Sequence, residues 1–374
     1  MWCRSVLNKW KSFWGCEKSR NFAGQCISTQ DLFMLKDIIS ATEANELRSV
    51  LEKSTNPVIM AHVAPDGDAA GSTLAIWNIL KVLGKDAVVI LPDMIPVNLD
   101  FLPGAEAIRI YTDDQNESDR LIKEADLIIC LDFNDSKRVD CMRDALLASK
   151  AFKVMIDHHL NPEAFCNLTI SHPEISSTCM LLYKVLTQIG WGEKISEEAA
   201  VAVYTGMMTD TGNFTYNSND PEIYIIVSEL LNKGINKDSI YTKACNTSTA
   251  DKLRLCAYAL SNKMEIIVRY GASIISLTRN ELNYYHYTKG DTEGLVNEPL
   301  AIEKVFISVF FREEKDLIKV SLRSKGDFPV NKMAAEQFNG GGHMNAAGGE
   351  FYGTMREARE HFKNILPMYV KSQY

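Results

Sequence analysis

Four polar clusters in this sequence combine histidine and aspartate in patterns suited to metal coordination. They are His62-Val-Ala-Pro-Asp66-Gly-Asp68; Asp132 with Asn134 and Asp135; Asp157-His158-His159; and Thr209-Asp210-Thr211-Gly212-Asn213. Singly, each has a simpler reading. An Asp-x-Asp behind a strand caps a helix or opens a turn, Asp132 ends a strand, and an adjacent His-His is a weak signal. Together they make a different demand. Several aspartates converging in one low-dielectric pocket repel one another unless they are protonated or share cations. Imidazole and carboxylate without thiolate form the donor set of a hard-to-borderline divalent ion, Mn²⁺ or Mg²⁺ rather than structural Zn²⁺. There are more donors than one ion needs. That points to a pair of ions about 3.5–4 Å apart, an arrangement that acidifies a bridging water and clamps phosphoryl oxygens.

A second candidate site is the run Gly340-Gly341-Gly342-His343, followed closely by Ala346, Ala347, Gly348 and Gly349. It lacks the Gly-Lys-Ser/Thr of a phosphate-binding P-loop and the strand-led spacing of a dinucleotide fingerprint. Small residues on both sides of His343 allow a backbone to approach an anionic or planar ligand closely, and a plain flexible turn is the competing reading. Arg323 and Lys325, a few residues upstream, supply nearby cations. His172, His286 and His361 stand in no such context and read as surface or structural residues.

The elements that must position these groups alternate between strand and helix. Apolar runs at 57–63, 86–91, 125–132 and 152–159 read as strands, and 71–84, 176–190 and 220–234 as helices; 197–210 starts like a helix and ends in the fourth polar cluster. In 71–84, Leu74, Trp77, Ile79, Leu80 and Leu83 lie mostly on one face and Gly84 closes the segment. Such alternation predicts an α/β fold with a mostly parallel, Rossmann-like sheet covered on both faces. Ligands on such sheets bind at the carboxyl ends of the strands, and all four clusters sit just beyond apolar runs, as four strand-end positions would. The last third differs. Runs at 272–278, 301–311 and 317–324, with a turn at 312–316, predict a smaller α+β unit that also holds a short helix at 330–338 and a strand from Glu350.

At roughly 100–200 residues per domain, 374 residues suggest two domains. The expected division is an extension at 1–33, a catalytic domain at 34–235, a linker at 236–255 and a second domain at 256–374. The extension has no assigned role; it reads as an amphipathic surface helix or as a non-native start upstream of Met34. A 46% hydrophobic, 24% charged composition is that of a globular protein. A net charge of −8 disfavours long duplex nucleic acid but not a small anion held by local cations. Nine cysteines without a C-x-x-C pair read as reduced thiols of a cytoplasmic protein. No run approaches a membrane span of roughly 18 apolar residues.

These motifs, in this order, resemble the DHH/DHHA1 phosphoesterase superfamily, over about residues 45–374. The nearest likeness is to its nanoRNase and pAp-phosphatase type, also catalogued as exopolyphosphatase-related. The resemblance implies two domains with a cleft between them and two divalent ions, Mn²⁺ foremost and Mg²⁺ as a substitute. It implies that His62, Asp66 and Asp132 hold one ion. Asp68, Asp132, His158 and Asp210 hold the other, with Asp132 bridging. It further implies that His159 contacts the substrate phosphate, that Asp157 orients a ligand, and that Arg138 reaches phosphate. Arg323, Ser324 and the run Gly340, Gly341, Gly342 and His343 would hold the substrate from the second domain. Met344 departs from a position that is polar in many relatives. No ligand position is missing.

The expected activity is hydrolysis of short oligonucleotides to nucleoside monophosphates, or of pAp to AMP and phosphate, by a hydroxide held between two ions. A homodimer fits this size class. The alternatives are a pyrophosphatase or exopolyphosphatase, in which the glycine–histidine segment would be out of place, and a non-catalytic dinucleotide sensor.

Overall fold

A computed structural model describes residues 35–370, together with the backbone of two short strands, β1 (Lys18–Arg20) and β2 (Cys26–Ser28), which pair antiparallel. The remainder of the expected extension lies outside the described residues. The chain divides into two compact units, Met1–Cys245 and Asn246–Tyr374. The break falls inside the segment expected as linker. That segment is not extended: it carries two short helices, α8 (Lys237–Cys245) and α9 (Ala250–Tyr258), whose few inward residues gave only a faint apolar pattern.

The first unit is built on six parallel strands, β3 (Pro57–Met60), β4 (Val88–Leu91), β5 (Arg109–Ile110), β6 (Leu127–Leu131), β7 (Phe152–Asp157) and β8 (Leu168–Ser171). Their spatial order is β5-β4-β3-β6-β7-β8. The order reverses between β3 and β6, so β3 and β6 flank the switch point at which such sheets open a crevice. The strands read as continuous apolar runs because both faces are covered. Ile59, Val89, Ile129 and Val154 enter one core, whereas Val58, Ile90, Ile128 and Met155 enter the other, as the two-residue period of a strand requires. One face is covered by α1 (Ala41–Lys53), α2 (Gly67–Val82), α5 (Thr178–Gln188), α6 (Glu197–Asp210) and α7 (Pro221–Asn232); the other by α3 (Gln115–Glu124) and α4 (Arg143–Ala148). Helices α2 and α6 approach closely at Gly71, where a Cβ would stand 2.6 Å from the Ala202 carbonyl.

The second unit holds a mixed sheet of β9 (Glu265–Ile267), β10 (Ala272–Leu277), β11 (Ile307–Glu313), β12 (Ile318–Ser324), β13 (Gly341–His343) and β14 (Ala346–Phe351), ordered β13-β14-β12-β11-β10-β9. Strands β10 and β11 run parallel and the other neighbours antiparallel. Helices α11 (Val330–Gln337) and α12 (Met355–Tyr369) pack on one face, around Phe311, Phe338 and Phe362. The short α10 (Arg279–Tyr284) and α9 close part of the other. The expected strand at 301–311 begins only at Ile307, because Pro299 and a 3₁₀ turn occupy Leu295–Ala301. Among the described residues no helix is long and apolar enough to cross a membrane, and the six cysteines there are all free thiols.

Candidate metal centre

The loop after β3 delivers His62 and Asp66, and the first turn of α2 delivers Asp68. Asp66 is the N-cap of α2, and its Oδ1 accepts from the Asp68 and Ala69 amides at 2.9 and 3.1 Å. The capping reading is thus correct, and the same side chain also lies in a group that can hold a metal, with His62 and Asp132. Asp132 follows β6 directly and sits at φ 62°, a left-handed turn at the strand end that an aspartate tolerates better than most residues. His158 and His159 follow β7. The fourth carboxylate corrects the expectation of four strand ends: Asp210 is the last residue of helix α6. An α-helix C-terminus repels a carboxylate, so this position favours a cation beside it.

Three overlapping groups result: His62–Asp66–Asp132, Asp68–His158–Asp210 and Asp132–His158–His159. His62 Nε2 lies 3.3 Å from Asp132 Oδ2. His158 Nε2 lies 3.6 Å from Asp210 Oδ2, 3.8 Å from Asp132 Oδ1 and 3.9 Å from Asp68 Oδ2. The His158 spacings are too long for hydrogen bonds. Donors roughly 2.0–2.2 Å from a shared ion, at 90–120°, stand roughly 2.8–3.8 Å apart. The donor set therefore fits divalent ions, with Asp132 common to two of the groups.

The imidazoles are aimed through their other nitrogens. His62 Nδ1 faces the Val63 carbonyl at 2.8 Å, and His158 Nδ1 the Ile175 carbonyl at 3.1 Å. A proton on each Nδ1 leaves the Nε2 lone pair toward the carboxylates, as metal-ligating histidines require. Asp157, fully buried, accepts from the His159 amide at 3.0 Å and holds its Nδ1 at 2.7 Å. It thus orients His159, not a histidine of the first two groups.

Burial pushes the Asp68 carboxyl well above its ordinary range, and the charges of Asp132 and Asp210 add to that. Asp210 is raised by burial and by Asp132 and Asp66. In Asp132 burial also acts upward, but the hydrogen bond and charge of His62, with His158 and His159, outweigh it and hold the group low. Burial would lower His62 and His158; facing carboxylates, Asp132 foremost, more than offset it and both are raised. Raised Asp68 and Asp210 carboxyls keep their protons to higher pH than ordinary ones, and a divalent ion bound there would displace them.

One supporting residue escaped the sequence reading. Thr178 opens α5, donates its hydroxyl to Asp132 Oδ1 at 2.9 Å, and donates its amide to Asp68 Oδ2 at 2.6 Å; the Cys179 amide adds 2.9 Å to Asp68 Oδ1. The start of α5, capped by Ser177, is an anion site, but its partners are 46 and 110 residues away. Gly206 admits this arrangement: a Cβ there would lie 2.8 Å from Asp68 Oδ1 and 2.2 Å from Cys179 Sγ. Arg138 lies in the turn whose carbonyl accepts from the Val63 amide at 2.7 Å, and its charge opposes protonation of His62.

The remaining expected residues belong to the second unit. Arg323 and His343 both register with Ala346, from either side, and so share one sheet face. The glycine run is not a loop: Gly341–His343 forms edge strand β13, whose outer backbone groups point away from the sheet. Gly340 leads into it, and Gly342 takes φ 141°. Ser324 is committed to the fold. Its hydroxyl donates to the Phe328 carbonyl at 2.7 Å and accepts from Asn345 at 2.9 Å.

Residues 56–207 match the DHH family, N-terminal domain, and residues 275–371 the DHHA1 domain. The chain is 29% identical over 307 residues to a bifunctional oligoribonuclease and PAP phosphatase NrnA of Thermus thermophilus, covering 81% of this chain and 87% of that protein. It is 27% identical to the Bacillus subtilis protein of the same name, over 79% of this chain and 89% of that one. A crystal structure of an exopolyphosphatase-related protein from Bacteroides fragilis superposes with a TM-score of 0.88 at 51% identity, covering 90% of this chain and 98% of that one.

Proposed function

Because the chain belongs to the DHH/DHHA1 family of phosphoesterases, we propose that it is a Mn²⁺-dependent hydrolase of short oligonucleotides, releasing nucleoside monophosphates, and of pAp, leaving AMP. The observation that carries this reading is the set of three His/Asp groups that overlap at Asp132 and His158. In this reading His62, Asp66 and Asp132 hold one ion, and Asp68, Asp132, His158 and Asp210 the other. When bound, two such ions acidify a water and neutralise phosphoryl oxygens. The chain's own residues do the rest. Asp132, pinned by Thr178, fixes the spacing of the two positions. His159, oriented by Asp157, presents Nε2 to a phosphoryl oxygen, and Arg138 adds positive charge beside His62. Arg323, His343 and the outer amides of β13 grip the terminal group of the substrate. Affinity from a few local contacts suits short substrates and an acidic protein.

The test is a turnover panel with Mn²⁺: dinucleotides, pAp, linear diadenylate, pyrophosphate and polyphosphate. Dinucleotide or pAp hydrolysis is expected, with at least a hundredfold loss in Asp132→Ala. Equal activity in the variant refutes the site. Rapid phosphate release from pyrophosphate or polyphosphate alone would replace the substrate assignment with the phosphoanhydride alternative.

A further inference from the structure

The face of the second sheet that bears Arg323 and His343 continues beyond them. One register step along lies the row Phe310–Ser321–Gly348–Gly341, and the next is Arg312–Lys319–Glu350. A cavity of about 390 Å³ opens above these rows, within the usual size of small-molecule sites, about 300–1,000 Å³.

Gly348 lies in its floor, and nothing in the protein requires glycine there. A Cβ at Gly348 would meet only the Val320 carbonyl, at 3.6 Å, and one at Gly341 would meet nothing within 4 Å; neither has a positive φ. Their neighbours differ: Gly342 has φ 141°, and a Cβ on Gly349 would stand 2.4 Å from the Phe338 carbonyl. A glycine inside a strand costs roughly 0.5–1 kcal/mol relative to alanine, so two unforced glycines facing each other leave room for something outside the fold.

The rim suits a neutral, polar, planar ligand better than a phosphate. Arg312 pairs with Glu314 at 2.7 Å and Lys319 with Glu350 at 3.0 Å, so charge is balanced locally. The Arg312 guanidinium is held by the Tyr287 hydroxyl at 2.8 Å, leaving a fixed planar group of the kind on which bases stack. We propose that this face is a nucleoside subsite: Gly348 and Gly341 admit the base of the nucleotide adjoining the terminal one, Arg312 stacks on it, and Ser321, Asn339 and Glu350 bond its polar edge or sugar. The assignment rests on the short-oligonucleotide reading and deepens it, since it makes length beyond one nucleotide a source of affinity.

The experiment uses the full chain carrying Gly348→Val, with Gly348→Ala as the milder change. Gly348→Ala should not lower the melting temperature, because its Cβ would meet only the Val320 carbonyl at 3.6 Å, and a Gly348→Val melting temperature equal to wild type shows that the larger change acts on the ligand and not on the fold. Binding of a labelled trinucleotide, read by fluorescence anisotropy in EDTA, should weaken at least tenfold in Gly348→Val. With Mn²⁺ the trinucleotide KM should rise at least tenfold relative to that of pAp. Wild-type and Gly348→Val proteins that bind the trinucleotide equally overturn the subsite, even where wild-type turnover upholds the phosphoesterase reading. Binding that Gly348→Val abolishes, with no turnover of any nucleotide by wild type, upholds the subsite and overturns that reading. A wild-type protein that neither binds nor cleaves overturns both.

Discussion

Replacing Thr178 with valine removes one hydroxyl from beneath the candidate metal centre while keeping the side chain's shape. In the native protein that hydroxyl lies 2.9 Å from Asp132 Oδ1, and both residues are almost wholly buried, so water cannot substitute. The backbone bond from residue 178 to Asp68 survives the change. A hydrogen bond to a charged group contributes roughly 1.5–3 kcal/mol. At 1.4 kcal/mol per decade this is about 10- to 150-fold in an equilibrium constant, matching the 10–100-fold typical of groups that support metal ligands. The Mn²⁺ concentration giving half-maximal dinucleotide hydrolysis should therefore rise 10- to 100-fold in Thr178→Val. Turnover at saturating Mn²⁺ should fall less than tenfold. Calorimetric titration of the metal should show the same loss, and Thr178→Ser should recover most of it. An unchanged Mn²⁺ midpoint in Thr178→Val would refute the claim that Asp132 is held by Thr178 for metal binding.

Three further outcomes follow from the geometry. Asp68 and Asp210 carry raised carboxyl values, so their ionisation costs the metal-free fold more as pH climbs above the ordinary value of 3.8. The raised His62 and His158 add stability that is complete below about pH 6.5 and is lost as pH rises through their folded values; the lowered Asp132 acts oppositely, but only as pH falls below about 4. The melting temperature in EDTA should thus decline from pH 5 to pH 8, with Mn²⁺ stabilising most at the alkaline end; a rising curve in EDTA contradicts this. Gly206→Ala should destabilise by about 1–3 kcal/mol in chemical denaturation, because its Cβ overlaps Cys179 Sγ, and should weaken Mn²⁺ binding through Asp68. Lys184 and Glu222 form a buried ion pair, and Glu222 also accepts the Lys36 amide. Lys184→Met should cost about 3–5 kcal/mol by stranding that carboxylate, and Lys184→Met with Glu222→Leu should regain much of it; a double variant no more stable than Lys184→Met would contradict the stranded-charge argument.

How much of this could be read before the fold was known depended on where each signal resides. The β3, β6 and β7 strands were legible because parallel strands covered on both faces are continuous apolar runs. The polar break at the end of each run marked His62, Asp132 and Asp157 as strand-end residues. Segment 197–210 misled because a helix packed against α2 and α5 on several sides is almost uniformly apolar and loses its amphipathic period; Asp210 therefore looked like another strand end. The glycine run read as a loop because glycine disfavours strands, and only pairing with β14 reveals β13.

Residue types and their order along the chain by themselves determined the donor chemistry, the α/β alternation and the family resemblance, because each is a local property of the sequence. Tertiary structure decided that Asp132 is shared between two of the metal-competent groups. It also decided that Asp157 serves His159, that Thr178 holds both Asp68 and Asp132, and that Ser324 is spent on a loop. Those choices rest on contacts of a few ångströms between residues separated by tens of positions or more. Their energies depend on burial and on neighbouring charges, which no local pattern encodes.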